Sequence, residues 1–134
     1  MKKVLIPEKM QRFYGTGTML HPDRGMIESI IKEIPAGRIA TIDTLCKRLA
    51  HDNGTSVTCP MRTTNFVKTI AEVQSQNPKP IPFWRVVRKD FRLINSPHAA
   101  LCTKNLEKEG FKVTQNSKGE FKVQNPKDKL FTFL

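Results

Sequence analysis

Three cysteines and three histidines are the side chains here best suited to nucleophilic or metal chemistry, and their spacing limits both. Cys46, Cys59 and Cys102 form no CxxC pair, and His21, His51 and His98 stand at no zinc-ligand spacing from them. No metal and no cofactor are expected. A thiol attacks as thiolate, which needs a nearby base or a helix N-terminus to lower its pKa. Cys59 precedes Pro60 at a predicted helix start, with His51 close in sequence, so a transferase acting through Cys59 is one reading. The odd cysteine count argues against a disulfide framework and fits a reducing, cytoplasmic setting.

Charge is the stronger signal. Across 134 residues, 23 Lys and Arg stand against 12 Asp and Glu, a net of +11. Such an imbalance draws a protein to polyanions by counterion release, and double-stranded DNA is the first partner expected. Between Arg38 and Arg92 ten basic residues face four acidic ones, a net of +6. Contacts from these residues would go mainly to phosphate; the competing reading is a merely solvated basic surface. No apolar run approaches the roughly 20 residues of a membrane helix, and the apolar stretch in Met1–Pro7 is too short for a secretion signal. A single-domain, monomeric, cytoplasmic protein without a membrane partner is expected.

The elements that would position these residues can be read from periodicity. Residues 1–22 hold Gly15, Gly17 and Pro22 around Phe13 and Tyr14 with no sustained period, which predicts an arm laid over the core. Met26, Ile27, Ile30, Ile31 and Ile34 recur at helical spacing behind a capping Asp23, and Pro35-Ala36-Gly37 stops the run. A second helix is predicted behind Thr41, with Ile42, Leu45, Cys46 and Leu49 as its apolar face, ending before His51. The third starts near Thr58 with Pro60 in its first turn, an apolar stripe of Phe66, Ile70 and Val73, and a polar face of Thr64, Lys68 and Glu72. Val86-Val87 and Leu93-Ile94 read as a two-stranded wing. A fourth helix opens at Asn95-Ser96-Pro97 and closes at Gly110, and residues 111–134 form a hairpin and tail.

Helix, turn, polar-faced helix and basic strand pair make a winged helix-turn-helix the default for a basic α+β chain. One stretch departs from that default: Asn77-Pro78-Lys79-Pro80-Ile81-Pro82-Phe83-Trp84-Arg85-Val86-Val87. Here the chain resembles the DNA-binding domain of the O6-alkylguanine-DNA alkyltransferases, the methylated-DNA-protein cysteine methyltransferases. It resembles more closely the alkyltransferase-like proteins that lack the reactive cysteine. In that family an Asn-Pro segment precedes a Pro-Cys-His-Arg-Val motif whose cysteine takes the alkyl group from a flipped-out base. The resemblance spans roughly Met26 to Gly110. It includes Ile34-Pro35-Ala36-Gly37-Arg38-Ile39-Ala40-Thr41 before the helix-turn-helix and Leu106-Glu107-Lys108-Glu109-Gly110-Phe111 at the closing helix.

The resemblance implies a fold of the alkyltransferase C-terminal type, with an arm over 1–22, the winged domain over 23–110 and a C-terminal hairpin over 111–134. It implies a non-enzymatic protein that binds alkylated or distorted DNA and hands it to nucleotide excision repair proteins. Phe83 stands where the nucleophile stands and Trp84 where its activating histidine stands; a phenyl ring has no lone pair and an indole N–H only donates. No catalytic residue is expected. Pro82, Phe83, Trp84 and Arg85 would form a base pocket with an aromatic wall, while the competing reading puts the two rings in the core and Arg85 in an ion pair with a carboxylate such as Glu109. Thr41, Arg62, Thr63, Thr64, Lys68, Arg88 and Lys89 would form the DNA-contact set. Two family positions are altered: the phosphate-pressing Tyr is matched by Ile42, and the arginine finger by Thr64, leaving Arg62 as the available guanidinium and Lys68 for phosphate. A winged-helix regulator or interaction module without lesion recognition is the alternative.

Overall fold

A computed structural model, describing residues 1–94 and 97–133, gives an α+β chain of short strands and helices. They run β1 (Lys2–Leu5), α1 (Gln11–Tyr14), β2 (Thr18–His21), α2 (Arg24–Ile31), β3 (Ala40–Thr41), α3 (Ile42–Asn53) and β4 (Val57–Thr58). Then follow α4 (Pro60–Gln74), β5 (Val86–Val87), α5 (Ala99–Lys108), β6 (Val113–Gln115) and β7 (Phe121–Val123).

The first 22 residues are not an arm. Strand β2 pairs antiparallel with β1, Lys2 opposite His21 through Leu5 opposite Thr18, and runs parallel to β4 on its other edge. Its consecutive residues point to opposite faces, and both faces are covered. Met19 packs with Ile6 and Cys59, whereas Leu20 enters the main core beside Ile27, Leu45 and Ile70. A strand buried on both sides shows no alternation in sequence.

Helix α2 begins as predicted, with the Asp23 carboxylate accepting from the Met26 N–H at 3.0 Å, a cap that contributes about 1 kcal/mol. Helix α3 buries Ile42, Leu45, Cys46, Leu49 and Ala50 along one face. It continues past His51 to Asn53 because Gly54, at φ 68°, supplies the left-handed stop. In α4 the inward stripe is Thr63, Val67, Ile70 and Ala71, rotated from the predicted one, and Val73 is 51% exposed. A threonine can face the core there because its hydroxyl donates to the Cys59 carbonyl at 2.9 Å and accepts the Cys46 S–H.

Strand β5 pairs parallel with β3, Ala40 opposite Val86. The predicted wing contracts to one antiparallel bridge, Val87 with Leu93, around a tight turn in which the Arg88 N–H donates to the Arg92 carbonyl at 2.8 Å and Phe91 takes φ 71°. The predicted start of the fourth helix at Asn95 and Ser96 lies outside the described residues; α5 itself ends in the expected glycine cap, Gly110 at φ 93° with the Phe111 N–H donating back to the Leu106 carbonyl. The hairpin β6–β7 forms with Val113 opposite Val123, and Asn116 accepts from the N–H groups of Lys118 and Glu120 in its turn. It completes a second core of Ile39, Val87, Leu93, Leu106, Phe111 and Val123.

One polar cluster ties these parts together. Glu109, at the end of α5, accepts from Arg85 Nε and Nη2, from Trp84 Nε1 at 2.7 Å and from the Gly37 N–H at 3.2 Å. Arg85 Nη1 also donates to the Ile34 carbonyl at 2.7 Å. Burial alone would push the Glu109 carboxyl up; the donors of Arg85, Trp84 and Gly37 outweigh it and hold the group below the ordinary glutamate value. Replacing Glu109 by Gln leaves the Arg85 guanidinium, only 14% exposed, without its counter-charge, and should cost about 3 kcal/mol by urea unfolding at pH 7. Because the folded pKa is depressed, this stabilisation is present above the unfolded value. The gap between wild type and Glu109→Gln should therefore shrink as pH falls below 4.5, and a gap unchanged down to pH 3 would refute the assignment.

Candidate nucleic-acid interface

The residues expected to form a base pocket are placed mostly inside. Phe83 is 2% exposed and belongs to the main core, and Trp84 meets it edge-on at 5.4 Å between ring centres. The crevice they share with Val67, Lys68 and Cys102 has a volume of only about 10 Å³, room for one water at most. Arg85 is held by Glu109 and the Ile34 carbonyl, the ion pair that competed with a pocket role in the sequence. Pro82 caps the short 3₁₀ turn Phe83–Arg85 that presents these side chains. Phe83 is in the main core, and Trp84, half-buried, packs against both cores.

The expected contact set divides. Thr63 is fully buried, and Thr41 is buried with its hydroxyl 2.8 Å from that of Thr44, so neither reaches a partner. Lys68 is half-buried on the third turn of α4, beside the closed crevice. Arg62 is exposed on the first turn of α4, next to Met61, which is 71% exposed. Thr64, Arg88 and Lys89 come together around an open cavity of about 470 Å³ between the N-terminal turns of α3 and α4 and the turn after β5.

That cavity also contains residues the sequence reading passed over: Tyr14 from α1, and Asp43 and Lys47 from α3. A signal was available in α3. Asp43, Cys46, Lys47 and Ala50 follow i, i+3, i+4, i+7 beside the core face, and all four line the cavity. Tyr14 carried no such signal, since a four-residue helix has no period to read. Ile42, at the position matched to the family's Tyr, forms part of the apolar wall.

The electrostatics favour an anion. Arg24, Arg48, Arg85 and Arg92 are each engaged by a carboxylate, Arg48 by both Glu33 and Asp52 and Arg92 by both Asp90 and Glu120. Among the described residues no carboxylate lies within 4 Å of the charged ends of Lys47, Arg62, Arg88 or Lys89. Burial, reinforced by the charges of Arg62 and Lys2, pushes the His21 imidazole below its ordinary value.

Thiol chemistry has no support in this arrangement. Burial pushes Cys46 up to about 11, against the hydrogen bond to Thr63, and pushes Cys102 up to about 12. Cys59 is buried against Ile6 and Met19. Among the described residues no group of three His, Cys, Asp or Glu could hold a metal ion, and no helix is long and apolar enough to cross a membrane. Iodoacetamide at pH 8 should alkylate the folded chain at least about a hundredfold more slowly than the urea-unfolded chain. Rapid modification of Cys59 by intact-mass measurement would restore the nucleophile reading.

Among known proteins, no family model and no curated sequence matches the chain. Two solved structures share its fold. One is the Schizosaccharomyces pombe protein Atl1 in complex with damaged DNA containing O6-carboxymethylguanine, 19% identical, with a TM-score of 0.59 over 82% of this chain and 94% of that one. The other is S. pombe ATL in complex with DNA, 19% identical, with a TM-score of 0.58 over the same shares. The chain adopts the fold of these alkyltransferase-like structures.

Proposed function

We propose that this chain is a non-enzymatic protein that binds double-stranded DNA through the N-terminal turns of α3 and α4 and the turn at Arg88–Lys89, in the manner of a winged helix-turn-helix. The observation that carries the reading is the sorting of charge. Arg24, Arg48, Arg85 and Arg92 are neutralised within the fold, while Lys47, Arg88 and Lys89 line one cavity without a carboxylate partner among the described residues and Arg62 lies exposed on the first turn of α4. A helix N-terminus adds its partial positive charge and its free N–H groups to such a face. Both structural neighbours were solved with DNA, which supports the same partner here.

The neighbour bound to O6-carboxymethylguanine DNA supports a role in recognising damaged DNA; a hand-over to nucleotide excision repair proteins is part of the proposal. A second reading, a DNA-binding module without lesion recognition, is favoured by the closed crevice at Phe83 and Trp84. These separate at matched salt: tighter binding of a duplex with one O6-alkylguanine supports the first, and equal affinities support the second. No binding to either duplex in dilute buffer overturns both. Arg62→Ala and Lys89→Ala should each weaken all duplexes alike and reduce the slope of log K against log salt by about one unit. An unchanged slope in both would remove this face as the contact.

A further inference from the structure

The strand pair after β5 contracts to one bridge, yet the chain builds a larger sheet on the same edge. The C-terminal hairpin extends residues 91–93 on their far side. The Leu93 N–H donates to the Phe121 carbonyl and the Val123 N–H to the Phe91 carbonyl, both at 3.0 Å, and Arg92 stands opposite Lys122. Leu93 and Val123 enter the second core, so by alternation Arg92 and Lys122 face outward.

This pairing brings the hairpin turn beside Arg88. Arg88, Arg92, Lys118, Gly119 and Glu120 line a cleft of about 560 Å³, and Arg88 also lines the cavity between α3 and α4. One guanidinium therefore belongs to both surfaces. The tip is held in place: Asn116 Oδ1 accepts from the N–H groups of Lys118 and Glu120, each at 2.9 Å, and Gln115 Nε2 donates to the Gly119 carbonyl at 3.2 Å. Arg92 ties the tip to the turn after β5, donating to Asp90 at 2.7 Å and to Glu120 at 2.6 Å. Both carboxylates of this region are thus occupied by the same arginine. Among the described residues no hydrogen bond or ion pair engages the Lys118 ammonium, and it does nothing for the fold. Arg88, Lys89, Arg92 and Lys118 outnumber Asp90 and Glu120, so the edge keeps an excess of positive charge.

We infer that the β6–β7 hairpin is the wing of this domain, with Arg88 and Lys118 holding phosphates of a duplex backbone that continues past the α3–α4 face. The inference deepens the DNA-binding reading and rests on it. What it adds is a second contact region, outside the helix-turn-helix, that fixes the direction of the duplex across the protein and reads no base.

Salt titrations and amide NMR of the whole chain with an unmodified duplex test it. Shifts should appear at residues 116–120 as well as at 61–64 and 88–89. Lys118→Ala should reduce the slope of log K against log salt by about one unit. Combined with Arg62→Ala the reduction should reach about two, since separate phosphate contacts add. Lys32→Ala, at the end of α2, removes the same charge and should leave the slope unchanged. A wild-type slope for Lys118→Ala while Arg62→Ala lowers it overturns the wing and leaves the α3–α4 contact standing. Equal losses in Lys32→Ala and Lys118→Ala reduce the effect to net charge and overturn it too. No duplex binding in dilute buffer removes both readings.

Discussion

The Glu109 carboxylate is the constraint on which the rest of the arrangement depends. It joins the end of α5 to the 3₁₀ turn at Phe83–Arg85, 24 and 25 residues away, and to Gly37, 72 residues away. A partly desolvated carboxylate persists there because N–H donors from two segments, Trp84–Arg85 and Gly37, converge on it. The indole N–H of Trp84 is used up in this contact, and the guanidinium of Arg85 is shared between Glu109 and the Ile34 carbonyl. Neither group is left to meet a ligand, and Phe83, fixed between them and the core, has no free face. Phe83, Trp84 and Arg85 are thereby part of the structural framework.

Closing that position leaves the polar face elsewhere to do the binding. Exposed ion pairs such as those of Arg48 and Arg92 add little to stability, since water and salt screen them. Their effect is on the field. By neutralising arginines away from the α3–α4 edge they leave Lys47, Arg62, Arg88 and Lys89 as a local excess of positive charge. The His21 imidazole is held below its ordinary value first by burial and then by the charges of Arg62 and Lys2.

Much of this was legible in the sequence where one residue type acts locally. The Asp23 cap, the Gly110 stop, the buried stripe of α3 and the Asn116 turn each depend on neighbours within a few positions. The fold class and the terminal hairpin followed from them. The pairing of β2 with β4 was not legible, because it joins residues 38 apart and buries Met19 and Leu20 in succession. The rotation of α4 was missed for a related reason: Thr63 counts as polar in a pattern, yet a hydroxyl satisfied within its own helix can face a core. Of the expected contact residues, Thr64, Arg88 and Lys89 line the cavity and Arg62 lies exposed on the first turn of α4. Tyr14, Asp43 and Lys47 were missed because a cavity is a property of three segments meeting.

Within the cavity lining, Asp43 Oδ1 is buried without a hydrogen-bond partner among the described residues. Stability alone would favour Asn, Ser or an apolar residue at a site where a carboxylate oxygen is buried without a donor. Helix α3 gains something from a negative charge in its first turn, but an exposed acid nearby would give the same gain without desolvation. Local rules are broken without compensation within the fold chiefly where a ligand supplies the missing partner. The buried thiols of Cys46 and Cys102 break no such rule, since a protonated thiol packs as a small apolar group. The crevice at Phe83 is closed, whereas the cavity lined by Asp43 is open.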